Sequence, residues 1–247
     1  MKTFSTDLHI HTKLSPCGSE EMTPLGIVGT ARKVGLDIIA ICDHNSCRNV
    51  SAVIEAGISV SLAVIPGIEL ETAERIHIVG LFPDLACAMR VSEAVREGLP
   101  EADEAYANRI GVQVLLSCDD QHCGMEGKAL ASPSKFDLRS AVRLIQENGG
   151  LAIPAHVERP SFSLYSQLGD VPRDLPFSAL EVSPVNSRPV GLREKFARYG
   201  YPLIGSSDSH YLLELGRARS HFFMERPSFE EICLALRGQD GRSVSLA

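Results

Sequence analysis

The feature that most constrains this chain is a unit that recurs along it. A short, continuously apolar run is followed by a turn holding a histidine or an acid, and often by a helical pattern. Ile38-Ile39-Ala40-Ile41-Cys42 is the clearest such run. A strand that is apolar at every position, rather than at alternate ones, is buried on both faces, as in a parallel sheet. Similar runs occur at Leu62–Ile65, Ile76–Gly80, Leu151–Pro154, Ala179–Val182 and Leu203–Gly205, and Phe4–His9 reads as the first strand. Thr23 at an N-cap and Pro24 at the first helical position open a helix whose face is Ile27, Val28, Ala31 and Val34, closed by Gly35. Further helical patterns cover Leu138–Glu147, Gly191–Tyr199 and Phe229–Arg237. Repeated β–α units predict an α/β fold with a parallel sheet, and their number points to a closed or nearly closed barrel.

The 247 residues are ample for one large core, and we read 1–247 as a single domain. The stretch from about 86 to 135 is polar and irregular, an excursion from the barrel, helical in part, that could roof the site. A net charge of −7 argues against a broad basic surface for nucleic acid, although a phosphate held locally by metal is compatible with it. Seven scattered cysteines, an odd count, suit free thiols in a reducing compartment, so a cytoplasmic location is expected. No run approaches the roughly 20 apolar residues of a membrane span, and no leader is expected from the first residues.

Six of the eight histidines stand at or just after these runs: His9 and His11, His44, His77, His156 and His210. Glu69 and Asp208 occupy equivalent places. In a parallel barrel the loops after the strands share one rim, so separate segments can converge there. His9 and His11 are two apart and project to one side of a strand, with Leu8 and Ile10 on the other. Imidazole suits Zn, Fe and Mn, carboxylate shifts the preference toward harder ions, and Glu69 can bridge two of them. Asp7 and Asp43 precede ligand histidines and can fix imidazole tautomers. Cys118-x3-His122-Cys123 lacks a partner pair at zinc-site spacing and is set aside. Cys42 with Cys47, and His221, are set aside as well.

These fragments resemble the PHP superfamily, named for polymerase and histidinol phosphatase. The matching pieces are DLHIHT at 7–12, CDHN at 42–45, PGIE at 66–69, HIVG at 77–80, PAH at 154–156 and SDSH at 207–210. The resemblance implies a distorted TIM-like (β/α)7 barrel with two or three divalent metal ions at the C-terminal ends of the strands. By position, one ion takes His9, His11 and Asp208, with Glu69 bridging; a second takes His77 and His156; a third takes His44 and His210. One departure is Ser15-Pro16-Cys17-Gly18, where many relatives carry an aspartate for the third ion. Either Cys17 ligates as a thiolate, or that position has one ligand fewer.

The implied chemistry is hydrolysis of phosphomonoesters, or of nucleotide and nucleic-acid phosphate ends, by metal-activated water. The expected substrate is a small phosphorylated molecule, such as a nucleotide or a short RNA end. Arg159 and Arg188 are candidates to grip phosphate. The candidates for the acid at the leaving oxygen are Asp43 and a metal-bound water. Two rivals stand beside this reading: a non-phosphate metallohydrolase of amidohydrolase type, and a metal-binding regulatory module without turnover.

Overall fold

The computed structural model describes residues 1–183 and 191–247. In chain order the strands are β1 Lys2–Ile10, β2 Ile38–Ile41, β3 Ala63–Glu71, β4 His77–Leu81, β5 Val114–Leu116, β6 His122–Met125, β7 Leu151–Pro154, β8 Leu180–Val182, β9 Leu203–Gly205, β10 Ser220–Met224 and β11 Ser243–Leu246. The helices are α1 Pro24–Lys33, α2 Val50–Ile58, α3 Leu85–Arg96, α4 Glu104–Ile110, α5 Leu138–Glu147, α6 Leu164–Leu168, α7 Leu192–Ala197 and α8 Phe229–Leu236.

Seven strands form one sheet in the order β11-β10-β1-β2-β3-β4-β7. β8 and β9 pair in parallel; β8 lies beside β7 and β9 beside β11, so this pair spans the gap between the two sheet edges. The result is the distorted barrel that the sequence leads one to expect. It is not uniformly parallel. β1, β2 and β3 run parallel, but β4 is antiparallel to both β3 and β7. The connection from Thr72 to Ile76 is far shorter than the dozen or so residues of a parallel crossover, so the chain must reverse there. β10 and β11 also add antiparallel, on the far side of β1.

Alternate strand residues feed two cores. Ile39 and Ile41 join Ile27, Val28, Val53 and Leu36 under the helices, whereas Ile38 and Ala40 join Leu8, Ile65, Val79, Ile153 and Ile204 from the barrel walls. Each fully buried isoleucine or leucine contributes about 1.5–3 kcal/mol to holding these layers together. The ladder between β1 and β2 shifts register between Asp7 and Ile10. Leu8 and Ile10 therefore pack into different cores, not on one shared face. Helix α1 opens with the Thr23 hydroxyl accepting from Gly26 N–H and closes at Gly35, where Gly35 N–H donates to Arg32 and Leu36 N–H to Ala31.

The irregular stretch is more ordered than its sequence implies. α3 packs on β3 as a wall helix, α4 follows, and β5–β6 form a hairpin. Val114 N–H donates to the Lys13 carbonyl at 3.2 Å, and Asn45 Nδ2 donates to the Leu130 and Ser132 carbonyls at 2.9 Å each. Buried Glu126 pairs with Arg48 at 2.6 Å and Arg96 at 3.0 Å. The stretch is thereby fixed beside the first loop of the barrel. No helix among the described residues is long and apolar enough to cross a membrane.

Candidate metal centre

The structure brings His9, His11, His44, Glu69, His77, His156, Asp208 and His210 together at one rim of the barrel. His77 gets there by an unexpected route. It begins β4 rather than following a strand, but β4 is reversed, so its first residue lies opposite Glu71 at the end of β3. Glu69 lies within β3, which runs further than its apolar run indicates. His156, Asp208 and Asn45 have φ of +32°, +52° and +51°. Three non-glycine residues in that region at one rim represent strain that the surrounding contacts must hold.

Counting protons defines the first position. His9 Nδ1 lies 3.1 Å from both oxygens of Glu181, so that nitrogen carries a proton and donates it. The Ser15 hydroxyl donates to Asp43 Oδ1 at 2.7 Å, so it can only accept from His11 Nδ1 at 2.8 Å. Each ring then directs its Nε2 lone pair inward, and the two Nε2 atoms are 3.2 Å apart. Asp208 Oδ1 lies 3.0 Å from one and 3.4 Å from the other, and both Glu69 contacts are at 3.3 Å. Two lone pairs and two carboxylates at this spacing repel unless a cation sits among them. Donors bound to one ion at about 2.1 Å in tetrahedral or octahedral array stand roughly 3.0–3.4 Å apart, which is the spacing found. Burial works against the charged form of His9, but Glu181, Glu69 and Asp208 hold its pKa well above the usual 6.5.

Glu69 is the hub of the remaining positions. Its Oε1 lies 2.8 Å from His77 Nδ1 and 3.3 Å from His156 Nε2, and its Oε2 lies 2.9 Å from His44 Nδ1. His156 Nδ1 is buried without a hydrogen-bond partner, and Oε2 and His77 Nδ1 have these close neighbours but no well-aligned hydrogen bond. A buried polar atom in that condition is costly and calls for a ligand. Burial alone would raise the Glu69 pKa, yet His77, His9 and His44 hold it well below the carboxylate range. Burial brings the His77 pKa down to about 4, against the pull of the Glu69 carboxylate. The donor set fits divalent ions shared between imidazole and carboxylate.

The residues behind the ligands sort differently from expectation. Asp43 is fully buried and accepts from Thr12 N–H, Thr12 Oγ1 and Ser15 Oγ, each at 2.7 Å. It holds the first loop and, through Ser15, the His11 tautomer; this geometry favours positioning over the proton donation first considered for it. Asp7 accepts from Ser207 N–H at 2.9 Å and Gly216 N–H at 2.8 Å, so it anchors the loop bearing Asp208 rather than an imidazole. Glu181 was missed. It touches His9 and accepts from the His156 N–H at 3.1 Å. Its signal was one acid inside the apolar run Ala179-Leu180-Glu181-Val182.

An open cleft of about 590 Å³ beside the cluster is lined by Cys17, Arg159, Asp208, His210, Tyr211 and Arg217, among others. Arg159 pairs with Asp208 and donates to Ser183 Oγ at 3.0 Å, which leaves its guanidinium one-third exposed at the cleft. Arg188 lies outside the described residues. The Cys17 thiol is hydrogen-bonded to His210 and His44; burial opposes its ionisation, but these two rings bring its pKa down to about 5. Cys118, His122 and Cys123 form no group with further donors among the described residues.

A family model described as the PHP domain matches residues 7–148, and one described as PHP-associated matches 193–240. The chain belongs to the PHP domain family. A 5′–3′ exoribonuclease of Haemophilus influenzae is 27% identical over 192 residues, covering 62% of this chain and 69% of that protein. The fold is shared with the lesion-specific endonuclease PfuEndoQ of Pyrococcus furiosus, with a TM-score of 0.73 and 21% identity over 98% of this chain; the alignment spans only 57% of the endonuclease. It is also shared with an amidohydrolase of Chromobacterium violaceum, with a TM-score of 0.55 and 21% identity over 83% of this chain and 87% of that one.

Proposed function

We propose that this chain is a metal-dependent phosphoesterase acting on phosphomonoesters or on the phosphate ends of nucleotides and nucleic acid. The observation that carries the reading is the pair of inward Nε2 lone pairs of His9 and His11, 3.2 Å apart between two carboxylates and opening on an arginine-lined cleft. The PHP family match and the exoribonuclease relative support it.

His9, His11 and Asp208 would hold one ion, His77 and His156 a second, and His44 and His210 a third, with Glu69 bridging. Two or three divalent ions, Zn, Mn or Fe, suit this donor set. When bound they lower the pKa of water and draw charge from phosphoryl oxygens. The chain's own residues do the rest. Glu181 and Ser15 fix the tautomers of His9 and His11. Asp43 holds the first loop in register. Arg159, fixed by Asp208 at the cleft wall, offers its remaining N–H groups to a phosphoryl oxygen. A net charge of −7 means that substrate is held by this local site and not by a broad basic surface.

The test is a panel of 3′,5′-bisphosphonucleotides, 5′-phosphorylated short RNA and generic phosphomonoesters, run with Mn, Zn or Fe beside amide and lactone substrates. Turnover confined to the phosphoesters is expected. Turnover confined to the amides or lactones would overturn the assignment.

A further inference from the structure

His77 is held differently from the first two ligand rings. His9 Nδ1 faces Glu181 and His11 Nδ1 faces Ser15, and a ligating imidazole ordinarily has such a partner behind it. His77 turns its Nδ1 toward Glu69 at 2.8 Å, so its partner would have to stand behind Nε2. Glu71 lies in that direction, but its Oε2 is 4.0 Å from Nε2, beyond hydrogen-bond range. Its Oε1 pairs instead with Arg75 Nε at 3.0 Å.

A phenyl ring stands where the first two ligand rings have a polar partner. Phe162 stacks on the His77 imidazole, with centroids 4.8 Å apart and planes 21° from parallel. The Arg75 guanidinium lies 5.2 Å from the centroid of the same phenyl ring, within cation–π range. The main chain joins the pair as well, because His77 N–H donates to the Phe162 carbonyl at 2.9 Å. Phe162 has φ +56° and Arg75 φ +65°. Bulky side chains rarely adopt this region, and glycine would do so without cost. The chain thus keeps two strained side chains that meet beside one ligand. Both segments are fixed on their own account. Arg75 N–H donates to the Thr72 carbonyl at 2.9 Å. Next to Phe162, the Ser163 hydroxyl accepts from Ser166 N–H at 3.0 Å and donates to the Arg159 carbonyl at 2.6 Å.

Resting on the reading of this rim as a multinuclear centre, we propose that Phe162, held in place by Arg75, is a positioning residue for the second metal position. Its ring fixes the plane of His77 so that Nδ1 faces the bridging Glu69, as Glu181 and Ser15 direct the rings of His9 and His11. A flat apolar contact sets the plane without giving or taking a proton. His77 therefore lacks the carboxylate that raises the basicity of His9, and its hold on an ion depends on orientation.

The experiment is stepwise loading of the metal-stripped full chain with manganese, followed by calorimetry and electron paramagnetic resonance. In the wild type, ions that share Glu69 are expected to give an exchange-coupled signal. Phe162→Leu keeps an apolar side chain without a flat face. It is expected to weaken one binding step by about 10–100-fold, the scale for a lost support behind a ligand, and to leave the other steps unchanged. At partial loading the coupled signal should give way to that of isolated ions. Phe162→Tyr keeps the ring and is expected to restore both the step and the signal. Arg75→Met, which keeps the cover without the charge, is expected to weaken the same step by less. Circular dichroism of each metal-free variant confirms the fold. All steps unchanged in Phe162→Leu, all steps weakened alike, or no recovery in Phe162→Tyr would overturn the assignment, and an Arg75→Met variant equal to the wild type would remove Arg75 from it. A wild type that binds a single ion would remove the multinuclear reading itself. Phosphoester turnover is scored separately: hydrolysis with every binding step unchanged in Phe162→Leu removes only the role of Phe162, and the weakened step without hydrolysis in the wild type removes only the proposed function.

Discussion

Glu181 places its two carboxylate oxygens 3.1 Å each from His9 Nδ1 and accepts the backbone N–H of His156 with one of them. One buried acid on β8 therefore sets the tautomer of a ligand on β1 and the approach of another beyond β7. Glu181→Gln keeps the shape, but its amide can present only one oxygen to His9. Losing such a partner typically weakens metal binding by 10–100-fold. Calorimetric titration with Zn or Mn checks this, and an affinity equal to that of the wild type would remove Glu181 from the centre.

Asp43 separates positioning from proton donation. Asp43→Asn leaves Thr12 Oγ1 facing an amide that cannot accept as the carboxylate does. We expect a loss of about 1–3 kcal/mol in stability and lower kcat/KM at every pH. The shape of the pH profile should stay as in the wild type. Disappearance of one limb of that profile would instead make Asp43 an acid or base in the reaction.

Metal and protons compete at this rim. His9 and His44 have pKa values raised well above 6.5, because nearby carboxylates outweigh burial. Such groups stabilise the metal-free fold below 6.5, and that contribution is lost as pH rises through their raised values. Metal takes only the deprotonated rings, so the increase in Tm on adding metal should grow as pH rises above about 6.5, with protons released on binding. Melting curves with and without metal, together with indicator-dye titration, measure both. A metal-induced shift that shrinks as pH rises would contradict this account.

One buried carboxylate adds to the hydrogen bonds that tie down the excursion. Glu126 is fully buried between Arg48 and Arg96, each about one-third exposed. Breaking a buried pair leaves a charge uncompensated and costs about 3–5 kcal/mol. The partial exposure of both arginines places Glu126→Ala at the low end. Urea unfolding should show this loss; a change near zero would mean that the hairpin stays docked without the ion pairs.

Much of this was legible in the residues, and what was not has physical causes. Continuous apolar runs such as Ile38–Ile41 identify two-faced strands, and the histidines beside them reveal the rim. Direction is not encoded that way. His77 reads as a residue close to a strand end but begins a reversed strand, because the length of the turn decides orientation. Glu69 lies inside β3 because the strand continues through Pro66 and Gly67, which usually interrupt one. Glu181 was hidden because a support for an imidazole carries no motif of its own. Charge alone could not distinguish Asp43 as a clamp from Asp43 as an acid; its three hydrogen bonds do.

The most direct measurement strips the chain with a chelator, restores Mn, Zn or Fe stepwise, and follows bound metal and phosphoester hydrolysis together in the wild type and in His9→Ala and Glu69→Ala. The account predicts an inactive metal-free chain, activity that rises with two or three bound ions, and variants that bind fewer ions and turn over no substrate. Full metal binding without hydrolysis of any phosphoester, or hydrolysis unchanged by stripping and by both substitutions, would contradict it.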